Sequence, residues 1–288
     1  MYPSRFRYAA PRTLDEAIGL LVENGDDAKV LAGGQSLVPL LKLRFAAPAL
    51  LVDINNLPGL DHHREDADET LRIGALCRHV HLEHSTLLKA KHPLMASAAP
   101  LVADPIVRTR GTLVGSVCHA DPQGDWASVM IALGASIVAQ GPSGRRTIPV
   151  AQFVLGPFQN ALGPDEIAVE AVVPPAKGRS TGTYLKLERR IGDFATAGVA
   201  VALEMSGGSV TRAGIALTGV GPATIHAAAA EEALVGRPLT HDSIDRAATL
   251  AAEAAQPRGD HRGSATYKRH VVATFVRRGL ERDLEAAV

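Results

Sequence analysis

Residues 29–36 read KVLAGGQS and join an apolar run to a pair of glycines. The run from Lys29 to Ala32 predicts a strand, and Leu37 to Leu43 predicts a short helix. Backbone N–H groups at such a bend can converge on an anion, and Gly33 and Gly34 allow a pyrophosphate to approach closely. The stretch lacks the lysine of a P-loop and the spacing of a dinucleotide fingerprint. A glycine pair after a strand is more often a plain tight turn, so this motif alone assigns no function.

Helical and strand patterns surround this bend. Thr13 and Glu16 have capping-box spacing before a helix that stops at Gly25. Further predicted elements are strands at 50–54 and 71–75, mainly helical structure over 80–103 with a break at Pro93, a glycine-containing loop over 110–117, a helix capped by Asp125 and running to about Leu133, and a hairpin of 136–140 and 145–150.

The stretch PPAKGRS at 174–180 is the best linker candidate and divides the chain near residue 178. After it, the sequence predicts strands at 183–188, 197–205 and 210–218 and helices at about 223–235, 241–255 and 264–284. A small three-stranded sheet backed by helices is the implied C-terminal unit.

A second motif, GTLVGS at 111–116, carries two hydroxyl side chains and is followed by the carboxylate of Asp125. These groups could serve a phosphate and a ribose together, although Asp125 taken separately is more simply a helix cap. A third stretch, LKLERRIGDFATA at 185–197, offers the amine of Lys186 and the ring of Phe194. Its simpler interpretation is a charged strand edge.

Composition excludes several classes of protein. The 288 residues are 46% hydrophobic and 21% charged, which is typical of a globular protein, and 30 Lys and Arg balance 30 Asp and Glu. This balance gives no strong electrostatic field that would favour binding to nucleic acid or to an anionic membrane. No signal peptide or apolar run long enough to cross a bilayer is present, so cytoplasmic residence is the expectation. Cys77 and Cys118 are too few for a disulfide framework or an iron–sulfur cluster.

Four residues of metal-binding type lie within eight positions: Cys77, His79, His81 and His84. A helix would not present all four side chains to one ion, so the sequence predicts no metal site here and places these residues at the surface.

The three motifs, in this order and spacing, resemble the medium subunits of the carbon monoxide dehydrogenase and xanthine dehydrogenase family over essentially the whole chain. In that family an AGG[HQ]S loop and a T[IV]GG[SND] loop clamp the FAD pyrophosphate, and an RxGDYATA stretch opens the C-terminal domain. The resemblance implies an α+β fold. A vanillyl-alcohol-oxidase (PCMH)-type FAD-binding domain would span 1–177, with subdomains of about 1–55 and 56–177. A C-terminal domain at 178–288 would carry the three-stranded antiparallel sheet and helices.

The resemblance also implies a set of FAD-binding residues and no catalytic or metal-binding ones. The pyrophosphate and adenosine part would contact Lys29, Val30, Leu31, Ala32, Gly33, Gly34, Gln35, Ser36, Gly111, Thr112, Leu113, Val114, Gly115 and Ser116. Asp125 would hydrogen-bond FAD, Ile167 and Ala168 would touch the flavin, and Lys186 and Phe194 would lie near its ring. Leu37, Val102, His119, Asp121 and Asp193 complete the implied set.

Two residues depart from the family pattern. Val114 stands where the family usually has a second glycine, and a valine does not readily adopt a positive φ, so the loop would differ in conformation or bind FAD less tightly. Phe194 stands at the usual tyrosine position, which removes a hydroxyl but keeps an apolar ring.

The function that the resemblance implies is electron transfer through FAD, from [2Fe–2S] clusters of a small subunit to an external acceptor. A large molybdenum–pterin subunit would select the organic substrate, and the assembly would be a dimer of heterotrimers. Two alternatives remain: a flavin-free scaffold subunit of the same complex, or a stand-alone FAD-dependent oxidoreductase. The substrate and the acceptor do not follow from this sequence.

Overall fold

The computed structural model describes residues 2–285, so residues 286–288 of the predicted C-terminal unit lie outside the described part. The strands are β1 Arg7–Ala9, β2 Ala28–Leu31, β3 Leu50–Asp53, β4 His63–Glu65, β5 Leu71–Gly74, β6 Ser136–Gly141, β7 Gly144–Pro149, β8 Val154–Gly156, β9 Gln159–Asn160, β10 Ile167–Val173, β11 Arg179–Leu187, β12 Ala197–Ser206, β13 Ser209–Thr218 and β14 Ile225–His226. The α-helices are α1 Leu14–Asn24, α2 Leu37–Leu43, α3 His79–Glu83, α4 Thr86–Lys91, α5 Pro93–Ala98, α6 Pro105–Arg108, α7 Leu113–His119, α8 Asp125–Ala132, α9 Val150–Phe153, α10 Ala228–Glu232, α11 His241–Ala254 and α12 Ala265–Glu285.

Three sheets carry the architecture. The first, in the order β1-β3-β2, is parallel, and α1 packs on β2 and β3. Helix α1 begins where Thr13 Oγ1 accepts a hydrogen bond from Glu16 N at 3.2 Å, and its residues Ala17, Ile18 and Leu21 are buried. The capping-box signal therefore sets the start of this helix and turns its apolar stripe to the sheet.

The second sheet is antiparallel and has the order β4-β5-β10-β6-β7. Its central strand β10 is buried along nearly all of its length, with the pattern Ile-Ala-Val-Glu-Ala-Val-Val. A strand that is apolar on both faces lacks the alternation used to recognise strands, which explains why the sequence patterns gave no strand there. Helix α7 packs on β5 and β10 of this sheet.

The third sheet has the order β11-β12-β13-β14 and is antiparallel. Strands β12 and β13 run for ten residues each, joined at Gly207 and Gly208, whose φ values are positive. Helices α11 and α12 pack against each other, and α12 covers β11 and β12 with Val272, Val276 and Leu280 fully buried. This separate apolar core supports the predicted sheet backed by helices.

Helix α8 joins the N-terminal half to the third sheet. All eight of its residues are buried, and it contacts α5 and α7 on one side and β12 and β13 on the other. Gly214 of β13 approaches it so closely that a Cβ added there would lie 1.8 Å from the carbonyl oxygen of Ala132. The halves of the chain are thus in direct backbone contact.

Several sequence predictions are confirmed and others are wrong. Helix α2, strands β2, β3 and β5, the β6–β7 hairpin and helices α11 and α12 lie at the predicted places within one or two residues. The loop predicted over 110–117 is wrong, because α7 begins at Leu113. The third sheet has a fourth strand, β14, and the helix predicted over 223–235 covers only Ala228–Glu232.

Two predicted side-chain environments are also wrong. Cys77 and His79 are buried rather than at the surface, whereas His81 and His84 are exposed as predicted. Asp125 does not cap α8, since Gly124 occupies the cap position and Asp125 lies in the first turn with its side chain in a buried network. Among residues 2–285, no helix is long and apolar enough to cross a membrane.

The contact between Gly214 and α8 yields a stability prediction. Gly214→Ala forces a methyl group onto the Ala132 carbonyl, and we expect it to lower the free energy of unfolding by about 1–3 kcal/mol because backbone must move. The control Gly19→Ala lies inside α1 in open space and should raise it by about 0.5–1 kcal/mol. Urea unfolding of both variants is the measurement, and a Gly214→Ala variant as stable as the unmodified chain would contradict this packing.

Candidate functional site

A cavity of about 670 Å³ lies where the three sequence motifs meet. Its walls include residues 28–37, residues 111–119 except Leu113 and Val117, and Gly192 to Phe194, where the Phe194 ring is half-exposed at the mouth. Side chains from β10 and the loop before it, including Ile167 and Ala168, complete the walls. This volume is within the usual range for cofactor and ligand sites, and its mixed apolar and backbone-rich lining is typical of them.

The two glycine motifs touch one another at one end of this cavity. A Cβ added to Gly33 would lie 2.4 Å from the Arg110 carbonyl oxygen and 2.9 Å from the Gly111 Cα, so no side chain fits between the two backbones. A Cβ added to Gly111 would lie 2.8 Å from the His79 ring. Gly34 has φ +75°, a conformation that favours glycine. Glycine at position 33 is therefore needed for the approach of the two backbones, and glycine at position 111 leaves room for the His79 ring.

Side chains that the sequence analysis missed brace this contact. Arg78 donates to the carbonyl oxygen of Arg110 at 2.7 Å and to Asn55 Oδ1 at 2.6 Å. Asn55 Nδ2 in turn donates to the Ala32 carbonyl oxygen at 2.9 Å. One guanidinium and one amide thus connect the two motifs, and no local sequence signal marks either residue because each acts across the fold.

The second motif forms a helix start rather than a loop. Thr112 Oγ1 accepts from Gly115 N at 3.1 Å as the cap of α7, and Gly115 and Ser116 lie in the first turns facing the cavity. Val114 lies inside α7, is buried and lines the cavity. It is not among the non-glycine residues with positive φ. The expected backbone conflict at Val114 therefore does not arise, since a helical position accepts any side chain but proline.

Asp125 lies at the floor of the cavity in a buried network of four ionisable groups. Its Oδ1 accepts from the Tyr184 hydroxyl at 2.7 Å, and its Oδ2 accepts from Lys186 Nζ at 3.0 Å. Lys186 also donates to the Leu101 carbonyl and lies 3.3 Å from Glu188. Burial raises the pKa of Asp125, and the charge of Lys186 and the hydroxyl of Tyr184 oppose that rise only in part. The network joins β11 of the third sheet to α8.

Lys186 lies beneath the cavity rather than in its wall. Its side chain is only 1% exposed, and Nζ is held by Leu101, Asp125 and Glu188. Leu113 and Asp121 are also absent from the walls: Leu113 is in the core, and Asp121 accepts from Gln123 N at 2.9 Å. The structure brings the other residues of the implied FAD set to this one cavity.

Phe194 lies at the mouth on a turn held by charged side chains. The Asp193 carboxylate accepts from Phe194 N at 2.8 Å, from Arg189 at 3.0 Å and from Arg262 at 3.2 Å. Partial desolvation raises the pKa of Asp193, but these three donors lower it by a larger amount. The pKa of Asp193 is therefore below its ordinary value. Arg262 also donates to the Phe194 carbonyl oxygen at 2.8 Å. The ring is half-exposed but its backbone is fixed.

Two histidines of the cavity wall are uncharged at neutral pH. Burial lowers the pKa of His79 to about 4, and the Trp126 indole N–H donates to His79 Nδ1 at 3.0 Å. Burial also lowers the pKa of His119, whose ring contacts Phe158. Neither imidazole presents a free cation to the cavity.

Part of the cavity lining was not predicted from the sequence. One of these residues, Gly192, lies within the third motif, and the others lie outside the three motifs: Leu21, Asp26, Ala28, Leu40, Ile54, Ala75, His79, Ala103, Val107, Cys118, Gly124, Asn160, Leu162, Gly163, Pro164 and Glu166. The loop 160–166 is the largest missed group. It has no glycine-rich pattern, and its position depends on contacts such as Asn160 Nδ2 to the Cys118 carbonyl oxygen at 2.6 Å.

Comparison with known families adds an independent observation. The profile of the FAD binding domain in molybdopterin dehydrogenase matches residues 4–176, and that of the CO dehydrogenase flavoprotein C-terminal domain matches residues 182–282. The chain belongs to the family of FAD-binding medium subunits of molybdenum hydroxylases. FAD is the cofactor of this medium subunit, which makes the chain an oxidoreductase subunit.

Relatives resemble this medium subunit along its whole length. The carbon monoxide dehydrogenase medium chain of Hydrogenophaga pseudoflava is 43% identical, with 97% of each chain covered. The 6-hydroxypseudooxynicotine dehydrogenase complex subunit alpha of Paenarthrobacter nicotinovorans is 38% identical and covers 100% of this chain and 97% of its own. A solved carbon monoxide dehydrogenase from Hydrogenophaga pseudoflava that lacks the Mo-pyranopterin moiety superposes with a TM-score of 0.94 at 44% identity, covering 98% of both chains.

The contact at Gly33 predicts loss of cofactor from the medium subunit. Gly33→Ala places a methyl group 2.4 Å from the Arg110 carbonyl, so the two motifs must separate. We expect FAD content after purification to fall at least about tenfold, since a shift of about 1.4 kcal/mol already changes affinity tenfold. Absorbance and FAD release on denaturation measure it. Gly19→Ala is the matched control, and full FAD retention in Gly33→Ala would contradict the contact.

The network at Asp125 predicts a stability effect. Tyr184→Phe removes the hydroxyl that donates to Asp125 Oδ1 in a fully buried position, and we expect a loss of about 1.5–3 kcal/mol in the free energy of unfolding. Tyr267→Phe changes an exposed tyrosine and should alter it by no more than about 0.5 kcal/mol. Equal effects of the two substitutions in chemical denaturation would refute the role of the buried hydroxyl.

Proposed function

We propose that this chain is the FAD-carrying electron-transfer subunit of a molybdenum-containing hydroxylase. It would take electrons from [2Fe–2S] clusters of a small partner subunit and pass them to an external acceptor. FAD supplies the redox chemistry, because a flavin exchanges electrons with both one- and two-electron partners, and the protein supplies binding, orientation and electrostatics. The observation that carries the proposal is the meeting of two glycine motifs in the walls of a single cavity.

The glycine end of the cavity suits the FAD diphosphate. Gly33, Gly34, Gly111 and Gly115 expose backbone without side chains, and Ser36 and Ser116 add hydroxyls among the lining residues. Backbone N–H groups are effective anion donors where glycine permits close approach. This donor set is neutral, so it holds a diphosphate by hydrogen bonds without the lysine of a P-loop.

The other walls suit a flat aromatic ring system. Ile167 and Ala168 of β10 are apolar, and Phe194 contributes a half-exposed ring at the mouth. Without the hydroxyl of the family's usual tyrosine, Phe194 offers the isoalloxazine only apolar contact. We assign Asp125 to positioning at the floor, because both of its oxygens are already held by Tyr184 and Lys186. Lys186 would act through Asp125 and not by touching the flavin.

Two ionisable groups of the cavity wall are already held by buried donors. His79 accepts from Trp126, and Asp125 accepts from two buried donors. Groups engaged in this way are better suited to positioning a cofactor than to proton abstraction. This arrangement favours electron transfer over direct transformation of an organic substrate.

The proposed domain boundaries follow the division of the chain into three sheets. We assign residues 1–177 to a vanillyl-alcohol-oxidase-type FAD-binding domain, with subdomains of about 1–55 and 56–177, and residues 178–288 to the C-terminal domain. The first sheet lies within 7–53, the second within 63–173 and the third within 179–226, which supports these boundaries. FAD would lie where these domains meet.

Partner subunits are part of the proposal. The relatives are named as a medium chain and as a subunit of a dehydrogenase complex. Next in sequence to Gly192, which lines the cavity, Ile191 is 89% exposed. Gly192 packs on Asp104, and Ile106, two residues further along, is 80% exposed. Exposed apolar residues beside a cofactor site favour a protein partner there. We propose a small [2Fe–2S] subunit and a large molybdenum–pterin subunit in a dimer of heterotrimers, in the cytoplasm.

Purification from its own cell tests this proposal. A tagged chain expressed at its natural level should elute with two other polypeptides and contain iron, molybdenum and FAD in a ratio of about four to one to one, because two [2Fe–2S] clusters accompany each flavin. Elemental analysis and FAD release measure the ratio.

Two outcomes would refute the proposal. A chain that carries FAD but elutes alone, without iron or molybdenum, would be a stand-alone flavoprotein. A chain that elutes with both metals but holds no FAD, even after incubation with FAD, would be a scaffold subunit.

A further inference from the structure

A second group of chemically reactive side chains lies outside the FAD cavity. Asp61, Cys77 and His81 each offer one potential ligand atom, and these atoms all lie within 4.8 Å of one another. The Asp61 Oδ1 to His81 Nδ1 distance is 3.6 Å, and both side chains are about half exposed. Cys77 is fully buried beneath them. None of the three residues lines the FAD cavity.

We propose that Asp61, Cys77 and His81 form a binding site for a thiophilic divalent cation of the Zn²⁺ type. A thiolate, an imidazole and a carboxylate are the ligands that Zn²⁺ takes in proteins. Ligand atoms about 2.0–2.3 Å from such an ion are about 3.3–3.8 Å apart in a tetrahedron, so small side-chain rotations suffice to close the site. Because Asp61 and His81 reach solvent, water can fill the fourth position.

The three ligands come from three different places in the fold. Asp61 lies in the turn before β4, Cys77 follows β5, and His81 is on α3. The objection that one helix cannot present Cys77, His79, His81 and His84 to one ion therefore does not apply, because the proposed set excludes His79 and His84 and includes an aspartate. No sequence spacing marks Asp61, since it reaches the cluster only through the β4–β5 pairing.

Cys77 can bind an ion only as a thiolate. Burial raises the pKa of the Cys77 thiol to about 12, so the ion itself must displace the S–H proton as it binds the sulfur. Cys77 Sγ lies 3.9 Å from His63 Nδ1, and His63 Nε2 lies 3.0 Å from Ser85 Oγ. The neighbouring Arg78 guanidinium is engaged by Arg110 and Asn55.

The site would brace the segment that supports the FAD cavity. Arg78, next to Cys77, connects the two glycine motifs, and His79 lies in the cavity wall. An ion held by Cys77 and His81 would fix both ends of this short segment to Asp61. We infer a structural ion, whose effect on the fold follows the mass-action stabilisation of any ligand that binds only the native state.

Metal titration of the full FAD-loaded chain, with any affinity tag removed, tests the inference. Co²⁺ should bind one per chain and give the absorption bands of a tetrahedral cobalt–thiolate complex at wavelengths beyond the flavin bands, and Zn²⁺ should displace it. Excess Zn²⁺ should raise the thermal midpoint by about 5 °C. Cys77→Ala and His81→Ala should each weaken binding by about tenfold or more.

Matched variants separate this site from incidental binding. His84→Ala removes an exposed histidine near the end of α3, and Cys118→Ala removes the other cysteine, so both should bind Co²⁺ as the unmodified chain does. Because His81 is exposed, its substitution leaves the core intact and keeps the test informative even if Cys77→Ala unfolds. Absence of stoichiometric Co²⁺ binding, or binding unchanged in His81→Ala, would overturn the inference.

Discussion

The backbone contact between Gly33 and the Arg110–Gly111 peptide is the constraint on which the site depends. It leaves no space for a Cβ, so it holds two segments that are nearly eighty residues apart in sequence at a fixed distance. Arg78 and Asn55 then span both segments with hydrogen bonds of 2.6 to 2.9 Å. Because the contact is backbone to backbone, its geometry is set by the bend after β2 and the connection between α6 and α7 rather than by flexible side chains. An anion held by both segments would meet donors that are already ordered, which reduces the entropy lost on binding.

A second constraint lies at the floor of the cavity, where Asp125, Lys186 and Tyr184 are buried together and Glu188 is partly buried beside them. A buried charge is costly unless its partners are well placed, and here each oxygen of Asp125 has a donor. Asp125 belongs to α8 and the other three to β11 and the residue after it. The network therefore connects the third sheet to the N-terminal half of the chain at the cavity. The close approach of Gly214 to the same helix is consistent with this connection.

The sequence predicted much of this fold and site because the information was local. The Thr13 cap of α1, the glycine bend at 33–34 and the β6–β7 hairpin are each encoded within a few residues and are confirmed, although Glu16 Oε2 accepts from Arg12 N and does not complete a capping box with Thr13. The failures share a long-range cause. Strand β10 is buried on both faces and shows no alternation; Asp125 looks like a cap until Tyr184 and Lys186 are brought to it; and Leu113 points into the core although the motif around it faces the cavity. Val114 shows the converse, since the motif predicted a loop of altered conformation or weaker FAD binding and the structure has an ordinary helix at this position. The Asp61, Cys77 and His81 group is assembled only by tertiary pairing.

Hydrogen–deuterium exchange of the chain with and without FAD tests the central claim most directly, because it reports on each backbone segment separately. If the two glycine motifs grip one diphosphate, adding FAD to the FAD-depleted chain slows exchange at 33–36 and at 111–116 together, with the same dependence on FAD concentration. Protection of only one of these segments, or of neither while FAD binds stoichiometrically, would contradict a shared site and would place the cofactor elsewhere.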